Sequence, residues 1–197
     1  MFKKKKEKKV RLDSLYTSKK DDSPFPPCIA FLTQLCIDQG AQETEGIFRI
    51  AISKTVRDKL LKEFLATKKI KEISPKNAHA PACVLKSLLD LFDPPVFPDY
   101  RKVLASKSLT PEALQSLADS LPPIHLSLIS HLSSFFRTLT ATEVVEKTKM
   151  SLFNIVTVFS PILVRPDDDI DPFVELANLK VINDVLEAFF SFLADKD

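Results

Sequence analysis

The stretch Met150-Ser-Leu-Phe-Asn-Ile-Val-Thr-Val-Phe-Ser-Pro-Ile-Leu163 is apolar on nearly every side when it is drawn as a helix. Such a helix is predicted to lie in the middle of a bundle, because a surface helix keeps one polar face. The segments on either side of it, Pro122 to about Leu139 and about Pro172 to Leu193, repeat apolar residues every three to four positions. This part of the chain therefore predicts packed helices.

Five further helix patterns precede this stretch. They are separated by prolines and polar capping residues, and no strand-like alternation of apolar and polar residues competes with them. Only two glycines occur in 197 residues, which also disfavours the tight hairpin turns of a β protein. We expect a single-domain, all-α bundle of about eight or nine helices. The five patterns cover Pro26 to Gly40, Ser53 to Leu65, Pro81 to Phe92, Asp99 to Ala105 and Thr110 to Leu121.

Charge divides the chain into a basic N-terminus and an acidic body. Residues 1–20 hold nine Lys or Arg against two acidic residues (+7), and residues 21–197 hold 19 against 24 (−5). Since like charges resist packing, we expect residues 1–14 to be a flexible basic tail and residues 15–197 to be the helical domain. The tail would contact an anionic membrane, while a solvated linker or a nuclear-import signal stays open. Its lysines are Lys3, Lys4, Lys5, Lys6, Lys8 and Lys9.

Several functional classes are disfavoured. Two glycines exclude both glycine-rich nucleotide loops, and the three histidines lack the spacing of metal ligands. The acidic body argues against nucleic acid as a partner. The sequence shows no signal peptide or membrane span, so we expect a cytoplasmic protein, with recruitment to the inner face of the plasma membrane as an option. We also expect a monomer without a cofactor.

Both glycines lie in one segment, Gly40-Ala-Gln-Glu-Thr-Glu-Gly46-Ile-Phe-Arg49. Gly40 is predicted to end the first helix in the left-handed conformation that glycine adopts readily. Gly46 lies three residues before an arginine with apolar neighbours. From the residues alone, Arg49 is either a functional cation or an ordinary surface arginine with a buried stem.

Four ordered blocks resemble one family. Thr44-Glu-Gly-Ile-Phe-Arg-Ile50 resembles the opening signature of the RhoGAP domain, the GTPase-activating module for Rho, Rac and Cdc42-type small GTPases. His79 to Leu89 resembles the family helix that carries a lysine, Leu121-Pro122 heads the long helix, and Lys149 to Arg165 resembles the block that carries an asparagine. The resemblance spans about residues 15 to 195.

The resemblance implies a RhoGAP-type bundle that activates a Rho-type GTPase rather than an enzyme with its own turnover. Arg49 would be the arginine finger that enters the active site of the GTPase, and GTP and Mg²⁺ would belong to that partner. Gly46 would leave room for the partner's switch region to approach. Phe48 would anchor the loop in the bundle.

Lys86 would meet the GTPase, and Asn154, expected to be buried, would hydrogen-bond to the finger loop. Lys86 also has a simpler reading as a surface ion pair with Asp90, one turn later. Asp90 itself stands where the family usually has arginine, on the helix expected to face the partner, and Thr148 and Ile52 also depart from the family pattern. The alternative function is a GAP-like module that binds a GTPase, or is recruited to a membrane, without useful acceleration.

Overall fold

A computed structural model describes residues 9–16, 22–71, 73–166 and 170–196. Within these ranges there are nine α-helices and two short 3₁₀ helices, and β pairing is confined to isolated bridges between Val10 and Phe92 and between Phe97 and Val164. The predicted all-α fold is confirmed. The helices are α1 (Pro27–Asp38), α2 (Lys54–Thr67), α3 (His79–Asp90), α4 (Tyr100–Ala105), α5 (Pro111–Ser120), α6 (Pro123–Leu139), α7 (Thr142–Thr148), α8 (Leu152–Leu163) and α9 (Pro172–Ala194), with 3₁₀ helices at Leu12–Leu15 and Ala41–Glu43.

Local chemistry sets the ends of these helices. The side chain of Ser53 accepts the N–H of Val56 at the start of α2, and Thr110 accepts the N–H of Ala113 at the start of α5. Gly40 follows α1 with φ of 87° and ψ of 35°, the left-handed conformation predicted for it.

The core is built around phenylalanine. Phe136 of α6 has ring contacts with Phe159 of α8 and Phe190 of α9, at centroid distances of 4.9 and 5.1 Å. α1 and α2 pack on α3, while α9 lies against α6 and α8. One further ring in this cluster, Phe48, comes from a loop, so the core extends directly under the segment that follows Gly46.

Two helix predictions need correction. α7 was not predicted, because Thr-Glu-Val-Val-Glu-Lys-Thr offers only two apolar residues as a periodic signal. α8 is not buried on all sides, since Phe153, Asn154, Thr157 and Pro161 form an exposed stripe at helical spacing. The buried face of α8 is carried by Ile155, Val156, Phe159 and Leu163.

The packed domain begins earlier than residue 15. Leu12 and Leu15 are buried in the core, and Val10 donates its N–H to the carbonyl of Leu91 at 2.8 Å. The prediction of a flexible tail otherwise falls on residues 1–8, which lie outside the described residues. Within the described ranges, no helix combines the length and the apolar composition that crossing a bilayer requires.

Candidate functional site

Arg49 is exposed at the tip of a tight turn, which we call the Arg49 turn (residues 44–50). The carbonyl of Gly46 accepts the N–H groups of both Arg49 and Ile50, each at 2.9 Å. Gly46 and Phe48 both have φ of 66°, in the left-handed region. The turn therefore contains two positive-φ residues within three positions, and its second one is a bulky aromatic residue, for which this conformation is unfavourable.

Phe48 holds the turn to the bundle. Its side chain is 0% exposed, and its ring lies edge-on to Phe159 at 5.0 Å and to Phe135 at 6.0 Å between centroids. Burying a side chain of this size contributes about 1.5–3 kcal/mol, which is enough to offset the backbone strain at one residue, of order 1–3 kcal/mol. This burial agrees with the anchoring role expected for Phe48.

Lys86 supports the same residue from α3. Its ammonium group donates a hydrogen bond to the carbonyl oxygen of Phe48. Burial lowers the pKa of Lys86, and the nearby charge of Arg57 lowers it further. Within the described ranges Lys86 forms no ion pair with Asp90, so the alternative interpretation of Lys86 as a surface ion pair is wrong. Contact between Lys86 and a GTPase stays a prediction.

Gly46 fastens the turn to the corner between α7 and α8. Its N–H donates to the carbonyl of Thr148 at 2.7 Å. A Cβ at Gly46 would lie 2.8 Å from Cδ1 of Ile50 and 3.4 Å from Nη2 of Arg49. Gly46 therefore has no room for a side chain of its own, because Ile50 and Arg49 lie against it. The expected approach of a partner's switch region to Gly46 stays a prediction. Thr148 accepts this bond with its main-chain carbonyl. Its side chain, which departs from the family pattern, is therefore not needed for the bond to Gly46.

The predictions for Asn154 are wrong on both burial and partner. Asn154 is exposed in the first turn of α8, where its side-chain amide donates to the carbonyl of Lys149 at 3.1 Å. Its own N–H donates to Oγ of Ser151. Asn154 thus fixes the α7–α8 corner rather than the Arg49 turn directly, and that corner in turn carries the acceptor for Gly46, the carbonyl of Thr148.

The contacts of α6 and α7 with the residues before the Arg49 turn are not predicted from the sequence. Nζ of Lys147 lies 2.6 Å from Oε1 of Glu43, just before the Arg49 turn, and the amide of Gln42 donates to the carbonyl of Thr138 at 3.3 Å. No local pattern in the sequence signals these pairings, because they join residues about 100 positions apart. Together with the bond from Gly46 to Thr148, they connect the Arg49 turn and the residues just before it to α6 and α7.

Asp90 lies exposed at the end of α3, next to two cations. Nη1 of Arg165 donates to the carbonyl of Asp90 at 3.0 Å, and Nζ of Lys9 lies 3.5 Å from the same oxygen. Arg165 also donates through Nη2 to the carbonyl of Phe92. Positive charge is favourable at a helix C-terminus. Arg165, the last residue of its motif block, is therefore a structural clamp that sequence analysis did not identify.

The guanidinium of Arg49 is exposed to solvent, and the turn that carries it is bonded to Lys86 of α3 and to Thr148 of α7. A guanidinium stays charged at physiological pH and offers a planar set of donors that matches phosphoryl oxygens. Among the residues that the structure describes, no three His, Cys, Asp or Glu side chains come together as a metal site. The chemistry available at the turn is thus binding and charge neutralisation of an anionic group supplied from outside.

In sequence, the chain is similar to proteins that are named as GTPase-activating proteins. The chain is 28% identical over 163 residues to GTPase activating protein homolog 2 of Dictyostelium discoideum, covering 80% of this chain and 18% of that protein. It is 27% identical over 175 residues to Rho GTPase-activating protein gacII of the same organism, covering 83% and 21%. The chain thus spans about a fifth of the length of these relatives.

The fold has a counterpart among solved structures, the crystal structure of human Rho GTPase activating protein 15. The TM-score is 0.76 at 19% identity, and the likeness covers 92% of this chain and 87% of that one. In sequence, the model of the RhoGAP domain matches residues 26–168, which is more than half of the chain. The chain therefore belongs to the RhoGAP domain family.

Proposed function

We propose that this domain stimulates GTP hydrolysis by a Rho, Rac or Cdc42-type small GTPase and that Arg49 is its arginine finger. One observation carries the proposal: Arg49 is exposed while Ile47 and Phe48, directly before it, are 0% exposed. A cation with this support can enter a partner's active site without the turn having to become ordered first. Membership of a GTPase-activating family supports the same reaction class.

The proposed mechanism is electrostatic. During phosphoryl transfer, negative charge spreads over the γ-phosphoryl oxygens of GTP, and a guanidinium inserted beside them stabilises that charge. A finger supplied in trans can increase the rate by about 10³ to 10⁵, which corresponds to roughly 4–7 kcal/mol. The activator supplies only the arginine, because GTP is bound and hydrolysed in the active site of the GTPase.

The neighbouring residues have supporting roles in this proposal. Phe48 and Gly46 fix the conformation of the turn, Lys86 holds the carbonyl of Phe48, and Asn154 holds the corner on which Gly46 rests. Asp90 lies at the edge of the docking face and would influence the choice of GTPase. We propose that the chain acts as a monomer without a cofactor, and that the GTPase binds GTP and Mg²⁺.

Single-turnover hydrolysis by a panel of GTP-loaded Rho, Rac and Cdc42-type GTPases tests this function. Wild type should accelerate at least one of them, and Arg49→Ala should lose about 10³-fold or more of the acceleration. Arg49→Lys should recover little, because an ammonium lacks the planar fork of donors. Arg101→Ala, at an exposed arginine of α4, is the matched control and should keep the acceleration.

Binding to a GTPase loaded with a non-hydrolysable GTP analogue separates the two functions under consideration. If wild type binds but accelerates none of the GTPases, the domain is a binding module. If Arg49→Ala accelerates as well as wild type, the arginine-finger assignment is rejected. Unfolding curves of both variants should overlay that of wild type, since Arg49 is exposed.

A second proposal concerns location. The lysines of the N-terminal run, from Lys3 to Lys9, carry enough positive charge to favour an anionic leaflet, at about 1 kcal/mol for each residue near the surface. Sedimentation with vesicles rich in phosphatidylserine should then show binding that weakens as salt is raised. Binding that does not respond to salt would count against this electrostatic contact.

A further inference from the structure

One stretch of the acidic body is strongly basic. Residues 44–72 hold eight Lys or Arg against four acidic residues, a net charge of +4. The remainder of residues 21–197 holds 11 against 20, a net charge of −9. The basic stretch consists of the Arg49 turn, its link to α2, α2 itself and the five residues that follow. Positive charge in the body is therefore concentrated around the candidate site.

α2 is a peripheral helix with a basic outer face. It packs on α3, and its buried side chains include Leu60 and Phe64. The opposite side of the helix is exposed and carries three lysines, which we call the basic outer face of α2: Lys54, Lys59 and Lys62. In the ranges that the structure describes, these three lysines form no ion pair. Their charges are thus available to a partner.

The acidic residues of this region do not cancel that charge. Nη2 of Arg57 lies 2.7 Å from Oδ1 of Asp58, and Oε1 of Glu63 accepts the N–H of Lys71 at 3.1 Å. Glu45 is exposed in the Arg49 turn and is already included in the net charge of +4. α3, on which α2 packs, contributes one lysine and one aspartate, so it leaves the balance unchanged.

The basic outer face begins close to Arg49. Lys54 follows Arg49 by five residues, so their Cα atoms lie no more than about 18 Å apart. Burial lowers the pKa of Lys86 and the charge of Arg57 lowers it further, which places Arg57 near Lys86. Lys86 in turn binds the carbonyl of Phe48. A standard interface covers about 800 Å² of each partner, a disc roughly 32 Å across, so a partner centred on Arg49 reaches the first turns of α2.

Exposed apolar side chains lie between Arg49 and these lysines in the chain. Ile50 directly follows Arg49, and Val56 lies in the first turn of α2; each is 47% exposed. Protein interfaces commonly combine an apolar centre with a polar, charged rim. The surface around Arg49 has this composition, with apolar groups next to the arginine and lysines farther along α2.

We infer that the basic outer face of α2 is the rim of the docking face, the surface around Arg49 that the GTPase would cover, and that the GTPase presents an acidic surface to it. The inference rests on the proposed function and extends it to the partner's charge. Charge at the rim of an interface mainly raises the rate of encounter rather than the rate of the chemical step.

An anionic membrane is the competing partner for exposed lysines. The position of α2 favours the GTPase, because Lys54 follows Arg49 closely and a bilayer on this face would compete with the GTPase for it. Both attractions weaken as salt is raised. They differ in that only the attraction to the GTPase operates in solution without vesicles.

The test measures the rate constant of association with a panel of GTPases that are loaded with a non-hydrolysable GTP analogue. It uses stopped flow in vesicle-free solution between about 50 and 300 mM salt. The double variant Lys59→Glu/Lys62→Glu should lower this rate constant by roughly 3- to 10-fold at the lowest salt, and the difference should shrink as salt rises. In hydrolysis assays it should lower kcat/KM by a similar factor and leave kcat unchanged, since Arg49 is untouched.

The matched control is Lys107→Glu/Lys180→Glu, which changes the net charge by the same amount. Both lysines are exposed, one after α4 and the other on α9, two helices that pack on each other. The control should stay within about twofold of wild type, as surface substitutions outside an interface usually do. Thermal unfolding of both double variants should overlay that of wild type, because all four positions are exposed.

Three results would overturn the inference: an association rate constant for Lys59→Glu/Lys62→Glu that equals that of wild type at low salt, an equal loss in the control, or a loss that occurs only with anionic vesicles. If wild type binds none of the GTPases, the docking face itself is rejected. If wild type binds but does not accelerate hydrolysis, the proposed function fails, and the association rates still decide the role of α2.

Discussion

The Arg49 turn and the first turns of α9 both present conspicuous side chains to solvent, but they are built differently. At α9, Phe173 is 84% and Leu176 is 69% exposed, and from Phe173 onward the first buried side chain is Ile182. At the Arg49 turn, the exposed guanidinium follows two fully buried residues and is held by main-chain and side-chain bonds from α3 and α7. Support beneath a side chain, more than its exposure, therefore marks a candidate catalytic position.

Removing the aromatic anchor should give the largest loss of stability. Phe48→Ala deletes a ring that contacts Phe135, Phe136 and Phe159, and large-to-small changes of this type cost about 3–5 kcal/mol. Urea unfolding followed by circular dichroism should show this loss, and Phe48→Leu should show a smaller one. A loss below about 1 kcal/mol would mean that the turn does not depend on its anchor.

The two glycines allow a sharper test, because they share a backbone conformation but not an environment. Gly40 and Gly46 both have positive φ, so replacement of either by alanine should cost about 1–2 kcal/mol of stability. A Cβ at Gly40 meets nothing within 4 Å, whereas at Gly46 it meets Ile50 and lies against the Arg49 side chain. Only Gly46→Ala should therefore reduce the GTPase acceleration at saturating activator.

The expected reduction is roughly 10-fold, since a catalytic group displaced by about 1 Å can lose up to 10²-fold in rate. Gly40→Ala is the control for backbone strain and should change stability without changing the rate. Equal rate losses in the two variants would show that strain alone, and not the contact with Arg49 and Ile50, accounts for the effect.

The fold and the helix ends are predicted well from the sequence, because they depend on residues that are close together in the chain. The all-α fold and most helix ends follow from apolar spacing and from capping residues such as Ser53 and Thr110, which act within a few residues of the chain. Arg49 was identified because its turn forms a short contiguous motif. Its role as a finger stays a prediction.

Features of the site that depend on partners distant in the chain are not predicted from the sequence. The contribution of α7 arises from contacts such as the bond from the N–H of Gly46 to the carbonyl of Thr148, and the lack of room at Gly46 arises from the side chains of Ile50 and Arg49. An asparagine among apolar residues reads as buried, but its position on the helix faces solvent once Ile155 and Phe159 turn inward. Likewise Val10 and Leu12 follow a lysine run that hides their place in the fold.

The smallest effect is expected at the start of α9, where the exposed apolar side chains have no buried residues directly beside them in the chain. Phe173→Ser and Leu176→Ser remove apolar side chains that bury little surface, so the free energy of unfolding should change by less than about 0.5 kcal/mol. The GTPase acceleration should also stay at the wild-type level. If either variant instead reduced the acceleration, an exposed side chain without a packed base would be contributing to the site, and the distinction drawn between the two regions would fail.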